Sequence, residues 1–336
     1  MQTLLKTTKA YNLLKAEGKE GRFAHAYLLL LNDSKNLKEA LKTFAKLFFD
    51  CEQSERFKDC PQTSEMQQKR RISELIDSEN FSDCLFFPSD GKKLTVEDAE
   101  KIREESTLNP VEGDKKVFLL GDFAEANTQT QNKLLKLLEE PPKGVIFLLG
   151  ATTVFPVLST VLSRTKKLEI LPFNNEEIAD CLCRIYKDKY DKNTYALCAA
   201  TSGGSLGEAQ NILEGGYYQE LLENALSLVK CSPARLPLIV KNISETKHPK
   251  ELLNLLRLIY RDLLLIKTNT DNRGAKLLLK SEYPGLQELA KTYTLPALFY
   301  AQEAISEAEK QVKFNAVFSQ CIELCLANIQ AKNKGI

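Results

Sequence analysis

Four short stretches in the first half of the chain carry side chains whose types and spacing could do chemistry. The first is the polar turn Asn32-Asp33-Ser34-Lys35-Asn36-Leu37-Lys38, directly after the apolar run Ala26-Tyr27-Leu28-Leu29-Leu30-Leu31. A nucleotide-binding sheet places a glycine-rich loop after its first strand. The loop's amides wrap phosphates, a lysine neutralises them and a Ser or Thr holds magnesium. This turn has no glycine, which disfavours close approach of its backbone to a phosphate. The second stretch is Gly121-Asp122, which closes the run Val117-Phe118-Leu119-Leu120, where a magnesium-binding ATPase strand would end in paired acids. The third is Asn132-Lys133-Leu134-Leu135-Lys136-Leu137-Leu138-Glu139-Glu140-Pro141-Pro142, and the fourth is Ser163-Arg164-Thr165, a loop arginine before Leu168-Glu169-Ile170-Leu171.

Nucleophilic catalysis has little to work with. His25 and His248 are the only histidines, and neither sits near an elbow-like turn that could present a serine or cysteine. His25 precedes an apolar run and reads as structural. Cys181, Cys183 and Cys198 lie in helical patterns and read as small core residues. Nine cysteines, an odd number scattered along the chain, argue against a disulfide framework and for a reducing compartment. The expected location is cytoplasmic.

The elements that must position these stretches follow from hydrophobic period. The runs at 26–31, 117–120, 145–149 and 168–171 are short, apolar and separated by helical patterns, as in a parallel sheet covered on both faces. A helix is expected from Asn127 to Glu140, stopped by Pro141-Pro142. After Pro172 the strand signals end. Helices are expected at 176–190, 193–200, 206–213, 252–266 and along 296–329, with the pair Gly215-Gly216 as a boundary. With 336 residues, 46 basic and 45 acidic side chains and 43% hydrophobic residues, the composition is that of a soluble globular protein of two or three domains. A net charge of +1 excludes a chain-wide basic field, so nucleic acid would have to be met through a local patch or other subunits. No apolar run is long enough to span a bilayer, and Met1-Gln2-Thr3-Leu4-Leu5-Lys6 reads as a helix start rather than a signal peptide.

Taken together, the stretches resemble one family. The run at 132–142, the apolar strand with Ala151-Thr152-Thr153 after it, and Leu162-Ser163-Arg164 are similar to bacterial clamp-loader subunits of the AAA+ class. Arg22-Phe23-Ala24-His25-Ala26-Tyr27-Leu28 and Leu108-Asn109-Pro110-Val111-Glu112-Gly113 extend the likeness, which is strongest over about 22–171. The turn Gly203-Gly204-Ser205-Leu206-Gly207-Glu208-Ala209 carries it further, and Val312-Lys313-Phe314-Asn315 resembles the family's entry into its last helix. The resemblance points to the delta-prime branch of the DNA polymerase III clamp loader. It implies an α/β then all-α chain: a RecA-like AAA+ parallel-sheet domain at 1–171, a small helical lid domain at 172–214 and a C-terminal helical collar domain at 215–336.

The departures from the family pattern matter as much. In register with the family, Asn36-Leu37-Lys38 stands where an active subunit has Gly-Lys-Thr, and Gly121 stands where an aspartate would hold magnesium. Glu208 replaces an arginine that often contacts the γ-phosphate. A dead nucleotide site with no cofactor is therefore expected. The family's four-cysteine zinc site falls here on Cys51, Cys60, Thr63 and Met66, so no metal is expected, and nothing in the spacing of Cys84 supports it as a third ligand. The one catalytic contribution implied is Arg164, an arginine finger donated in trans to a neighbour's ATP. The partners implied are the gamma/tau and delta subunits, with the sliding clamp and primed DNA met through the complex and no membrane. Three rivals are an active gamma/tau-type ATPase subunit, a stand-alone thiol or serine hydrolase, and a nucleic-acid-binding module acting alone. Lys166-Lys167 beside Arg164 reads either as a solvated edge or as part of a subunit contact.

Overall fold

A computed structural model describes residues 1–51, 64–89, 91–243, 248–268, 277, 279 and 283–335. The chain divides into two compact units, Met1–Phe173 and Asn174–Ile336.

In the first unit the elements run α1 (Gln2–Lys6), α2 (Lys9–Glu20), β1 (Ala26–Leu31), α3 (Leu37–Phe48), α4 (Ser64–Asp77), β2 (Cys84–Phe87), α5 (Val96–Ser106), β3 (Lys116–Asp122), α6 (Thr128–Glu139), β4 (Val145–Ala151), α7 (Ser159–Leu162) and β5 (Lys166–Ile170). Among the described residues the five strands form one sheet, ordered β2-β3-β4-β1-β5, and every neighbouring pair is parallel. The α/β architecture implied by the sequence is therefore present. All six residues of β1 and all seven of β4 are buried, as central strands covered on both faces require. Where α3 crosses β4 the sheet carries Gly150. A Cβ there would lie 2.9 Å from Leu41 Cδ1 and 3.2 Å from Leu37 Cδ1, so a larger residue would make these leucine side chains shift.

The chain leaves β1 for the far edge of the sheet at β2 and returns through β3 and β4. It then passes β1 to reach β5. The strand order thus reverses beside β1, and open α/β sheets take their ligands outside the carboxyl ends of strands at such a reversal. The turn at 32–36 stands there.

Strand β2 is absent from the sequence-based reading. Its four residues are too few to show a period, and it is an edge strand paired only with β3. Next to it Asp83, fully buried, accepts hydrogen bonds from the amides of Val111 (2.6 Å) and Glu112 (2.7 Å). That carboxylate fixes the loop leading into β3. Asp83→Ala is expected to destabilise the chain by about 3 kcal/mol, because two charge-assisted bonds are lost. A urea melt checks this, and an unchanged midpoint would show that the loop holds itself.

The second unit contains α8 (Asn175–Tyr186), α9 (Lys192–Thr201), α10 (Leu206–Gly215), α11 (Tyr218–Lys230), α12 (Leu236–Ile243), α13 (Pro249–Thr268), α14 (Tyr283–Thr292), α15 (Leu295–Lys313) and α16 (Phe318–Asn333). Its middle is α13, whose Leu252, Leu253, Leu255, Leu256, Ile259, Tyr260 and Leu263 are all buried. They share one core with Leu197 and Ala200 of α9 and with Leu298, Ile305, Ile322 and Leu326 of α15 and α16. Asn254 Nδ2 donates to the Thr201 carbonyl at the end of α9 (2.9 Å), so α9 is tied to α13 by a polar bond as well. Gly216, at φ +67°, closes α10 in the left-handed region. The helical stretch expected at 296–329 is two helices. The chain turns between Phe314 and Val317, with Asn315 at φ +62°. Asparagine tolerates that conformation, which is how a helical pattern breaks there without glycine or proline. Among the described residues no helix is long and apolar enough to cross a membrane.

Candidate functional site

The turn after β1 is built around Asp33, a buried side chain. Its Oδ1 accepts from the Asn36 amide (3.1 Å) and its Oδ2 from Asn36 Nδ2 (2.9 Å). Asn36 is the N-cap residue of α3, so the chain's own carboxylate lies against the start of that helix. The positive end of a helix attracts one anion. A phosphate brought to the same amides would meet the charge of Asp33 at close range, where like charges repel strongly.

The next two positions are committed to contacts within the chain. Leu37, standing where a phosphate-neutralising lysine would be, is buried against β4 at Gly150. Lys38 turns to Glu79: its Nζ lies 2.7 Å from Glu79 Oε1 and 4.4 Å from the centre of the Phe86 ring. Lys42 reaches the same carboxylate oxygen at 2.7 Å. Burial of Glu79 opposes its ionisation, but the hydrogen bonds and charges of Lys38 and Lys42 outweigh it and hold the carboxyl below its usual range. The cations of this helix are thus spent on the α4 side.

The acid at the end of β3 is also engaged. Asp122 Oδ1 accepts from the amides of Ala124 (3.1 Å) and Thr152 (3.2 Å), and Oδ2 accepts from Thr152 Oγ1 (2.6 Å). It staples β3 to the loop leaving β4. At the missing second acid, Gly121, a Cβ would touch Pro88 Cδ at 3.4 Å and the Phe87 carbonyl at 3.5 Å, on the β2 side. Glu208 is the third residue of α10, and its amide is capped by Ser205 Oγ at 3.2 Å. An acid suits the first turn of a helix and is repelled by a phosphate. Within the first unit, the residues after β1 and at the end of β3 do not fit a magnesium–nucleoside triphosphate.

Of the metal-ligand positions, Cys60 and Thr63 lie outside the described residues. Cys51 is buried and its thiol donates to the Phe49 carbonyl at 3.0 Å. Burial pushes the Cys51 thiol up to about 11 and the Cys84 thiol up to about 12, so both are protonated near neutrality. Among the described residues no three His, Cys, Asp or Glu side chains gather as a metal site. His25 Nε2 bonds the Leu138 carbonyl (3.0 Å), and the His248 ring stacks on Tyr217 with centroids 3.7 Å apart. Cys181 and Cys198 are buried in α8 and α9, with Cys183 half-buried.

Arg164 follows α7 and is about one-third exposed at the side chain. Its Nη1 donates to the Thr160 carbonyl (2.9 Å) and to Ser163 Oγ (3.1 Å), and its Nη2 lies 2.7 Å from Glu139 Oε1. Of the two lysines that follow, Lys166 pairs with Glu17 at 2.5 Å and Lys167 with Glu169 at 2.9 Å. The approach to α7 is set by Gln131, a buried residue that the sequence reading passed over. Its Nε2 donates to the carbonyls of Ala126 and Pro156, both at 3.0 Å, and its Oε1 accepts from the Leu158 amide at 2.9 Å. Gln131 thereby binds the loop before α7 to α6. Asp33 and Glu139 were likewise in quoted motifs without a role. The signal for Asp33 was available, since an aspartate three residues ahead of a helix's N-cap can bond its amide.

The sheet order defines a class: an α/β module of the AAA+ type, in which the turn after β1 is closed by its own Asp33 carboxylate. A family model described as DNA polymerase III, delta subunit, matches residues 6–174, just over half of the chain, and the chain belongs to that family. The DNA polymerase III subunit delta' of Bacillus subtilis is 23% identical over 319 residues, covering 91% of each chain. A DNA polymerase III subunit gamma of Buchnera aphidicola (subsp. Baizongia pistaciae) is 29% identical over 150 residues, covering 43% of this chain. The chain spans 40% of the length of that gamma subunit. Among solved structures, a DNA polymerase III gamma subunit-related protein from Thermotoga maritima aligns over 97% of this chain and 99% of its own, at 18% identity and a TM-score of 0.38.

Proposed function

We propose that the chain is a non-hydrolysing, delta-prime-type subunit of the DNA polymerase III clamp loader. It would assemble with gamma/tau and delta subunits and supply Arg164 to a neighbour's ATP. Through that complex it would act on the sliding clamp and primed DNA in the cytoplasm, with no nucleotide, zinc or membrane contact of its own. The observation that carries this reading is the pairing of a rebuilt phosphate turn with an intact loop arginine. Asp33 sits at the start of α3 and Leu37 is in the core, whereas Arg164 stays partly exposed beside α7. The match to a delta' subunit along nearly the whole of both chains supports the same assignment. In this proposal α8–α10 form the lid, 172–214, and the helices from 215 onward form a collar that joins the ring.

The rival is an active gamma/tau-type subunit, favoured by the gamma matches to part of the chain. It requires a phosphate-binding turn, which Asp33 and Leu37 argue against. Co-expression with the gamma/tau and delta subunits of the same organism tests the proposal. The expected result is one stoichiometric complex containing this chain. Elution of the chain alone, with the other subunits assembled without it, would contradict the proposal.

A further inference from the structure

We infer that Glu139 is the counter-charge that holds Arg164 stowed against its own chain, so that presenting the arginine exchanges a carboxylate for a neighbour's γ-phosphate. This inference rests on the reading of Arg164 as an arginine finger, and it assigns Glu139 as a positioning residue.

The geometry of the guanidinium comes first. An arginine offers five N–H donors in a fixed plane. Here Nη1 serves the Thr160 carbonyl and Ser163 Oγ, and Nη2 serves Glu139 Oε1 at 2.7 Å. A guanidinium held in this way has part of its charge neutralised and must give up bonds before it can reach another subunit.

The placement of Glu139 points the same way. It is the last residue of α6, and Glu140 caps the helix. Both acids stand at the negative end of the helix dipole, where carboxylates are disfavoured and cations favoured. Helix stability gives no reason for two acids there, and Arg164 supplies the opposite charge. Both sides of the pair are mounted on anchored backbone. His25 Nε2 bonds the Leu138 carbonyl one residue before Glu139, and Gln131 ties the loop ahead of α7 to α6. The side chains remain 34% and 44% exposed, so water can screen the pair and it can exchange. An ion pair of this exposure shifts an equilibrium by up to about fivefold. A γ-phosphate carries more charge than one carboxylate and offers several acceptor oxygens, so it wins the guanidinium once a neighbour brings it within reach.

The test uses the assembled complex with Glu139→Gln, which keeps a hydrogen-bonding side chain and removes the charge. The contribution of the neighbouring ATP site to clamp- and DNA-stimulated hydrolysis is expected to rise, by up to about fivefold, with assembly unchanged. Glu139→Lys, which repels Arg164, is expected to raise it at least as much. Neither substitution should change the rate once Arg164→Ala is present. A gain that disappears without the arginine cannot come from damaged structure. If Arg164→Ala slows hydrolysis but Glu139→Gln leaves the rate at or below the wild type, the stowed state is overturned and the finger stands. If Arg164→Ala changes nothing, the finger reading fails and the inference with it.

Discussion

Arg164→Ala is expected to leave the chain folded and the complex assembled, and to slow hydrolysis at the neighbouring ATP site by roughly 10³–10⁵-fold. Hydrolysis builds negative charge on the γ-phosphoryl oxygens, and a planar, permanently charged donor brought in from an adjacent subunit stabilises it. The structure supports the structural half of this expectation. Arg164 is on the surface beyond a four-residue helix, and its bonds are to Thr160, Ser163 and Glu139, none of which it buries. Losing an exposed pair of this kind costs the fold about 0–1 kcal/mol. A complex with several ATP sites would retain turnover at the others, so the effect is read as loss of one site's contribution and reduced clamp loading. Arg164→Lys should recover little, because a point charge cannot make the planar, bidentate contact. Unchanged hydrolysis and loading by a fully assembled Arg164→Ala complex would leave Arg164 as a surface residue paired with Glu139.

A chain ending at Phe173 is expected to fold and to lose assembly completely. The first unit has its own core: Leu28, Leu30, Phe118, Phe147, Leu149 and Leu138 pack together without help from later residues. What the truncation removes is the helical unit, including α15 and α16. These two helices and the turn between them carry the exposed apolar side chains Phe299, Phe314, Val317 and Leu324. Phe314 is 82% exposed, which is unusual for an aromatic on a helical unit with a complete core of its own. A cut at residue 214 would be a poorer experiment. Leu197 and Ala200 of α9 share the core of α13, and the cut would expose them. If the 1–173 chain still joins the gamma/tau and delta subunits, the helical unit is not the collar.

The sequence showed the sheet because its central strands are buried on both faces. β1 and β4 read as unbroken apolar runs for that reason, whereas the edge strand β2, four residues long and half-exposed along Leu85, Phe86 and Phe87, left no period to read. Helix α6 was legible at both ends, since Asn127 accepts from the Thr130 amide at 2.7 Å and Pro141 stops the chain. The break at Asn315 was hidden because it depends on one residue adopting a left-handed conformation inside an otherwise helical pattern. At the site, residue types told what was missing: no glycine in the turn, no lysine at Leu37, no acid at Gly121. They could not tell what the side chains that are present do instead. That Asp33 bends back onto Asn36, that Asp122 is held by Thr152 and that Arg164 lies on Glu139 are facts of three-dimensional closure. Glu139 and Arg164 are paired across the space between α6 and α7, and no spacing rule connects them.

The central claim is that this AAA+ module is silent toward nucleotide, and calorimetric titration of the isolated chain with ATP and magnesium tests it most directly. With Asp33 against the start of α3, Leu37 in the core and Lys38 committed to Glu79, binding is expected to be weaker than about 1 mM. No saturable heat should appear in the micromolar range. A dissociation constant of a few micromolar would contradict the account and make the chain an ATP-binding subunit in its own right.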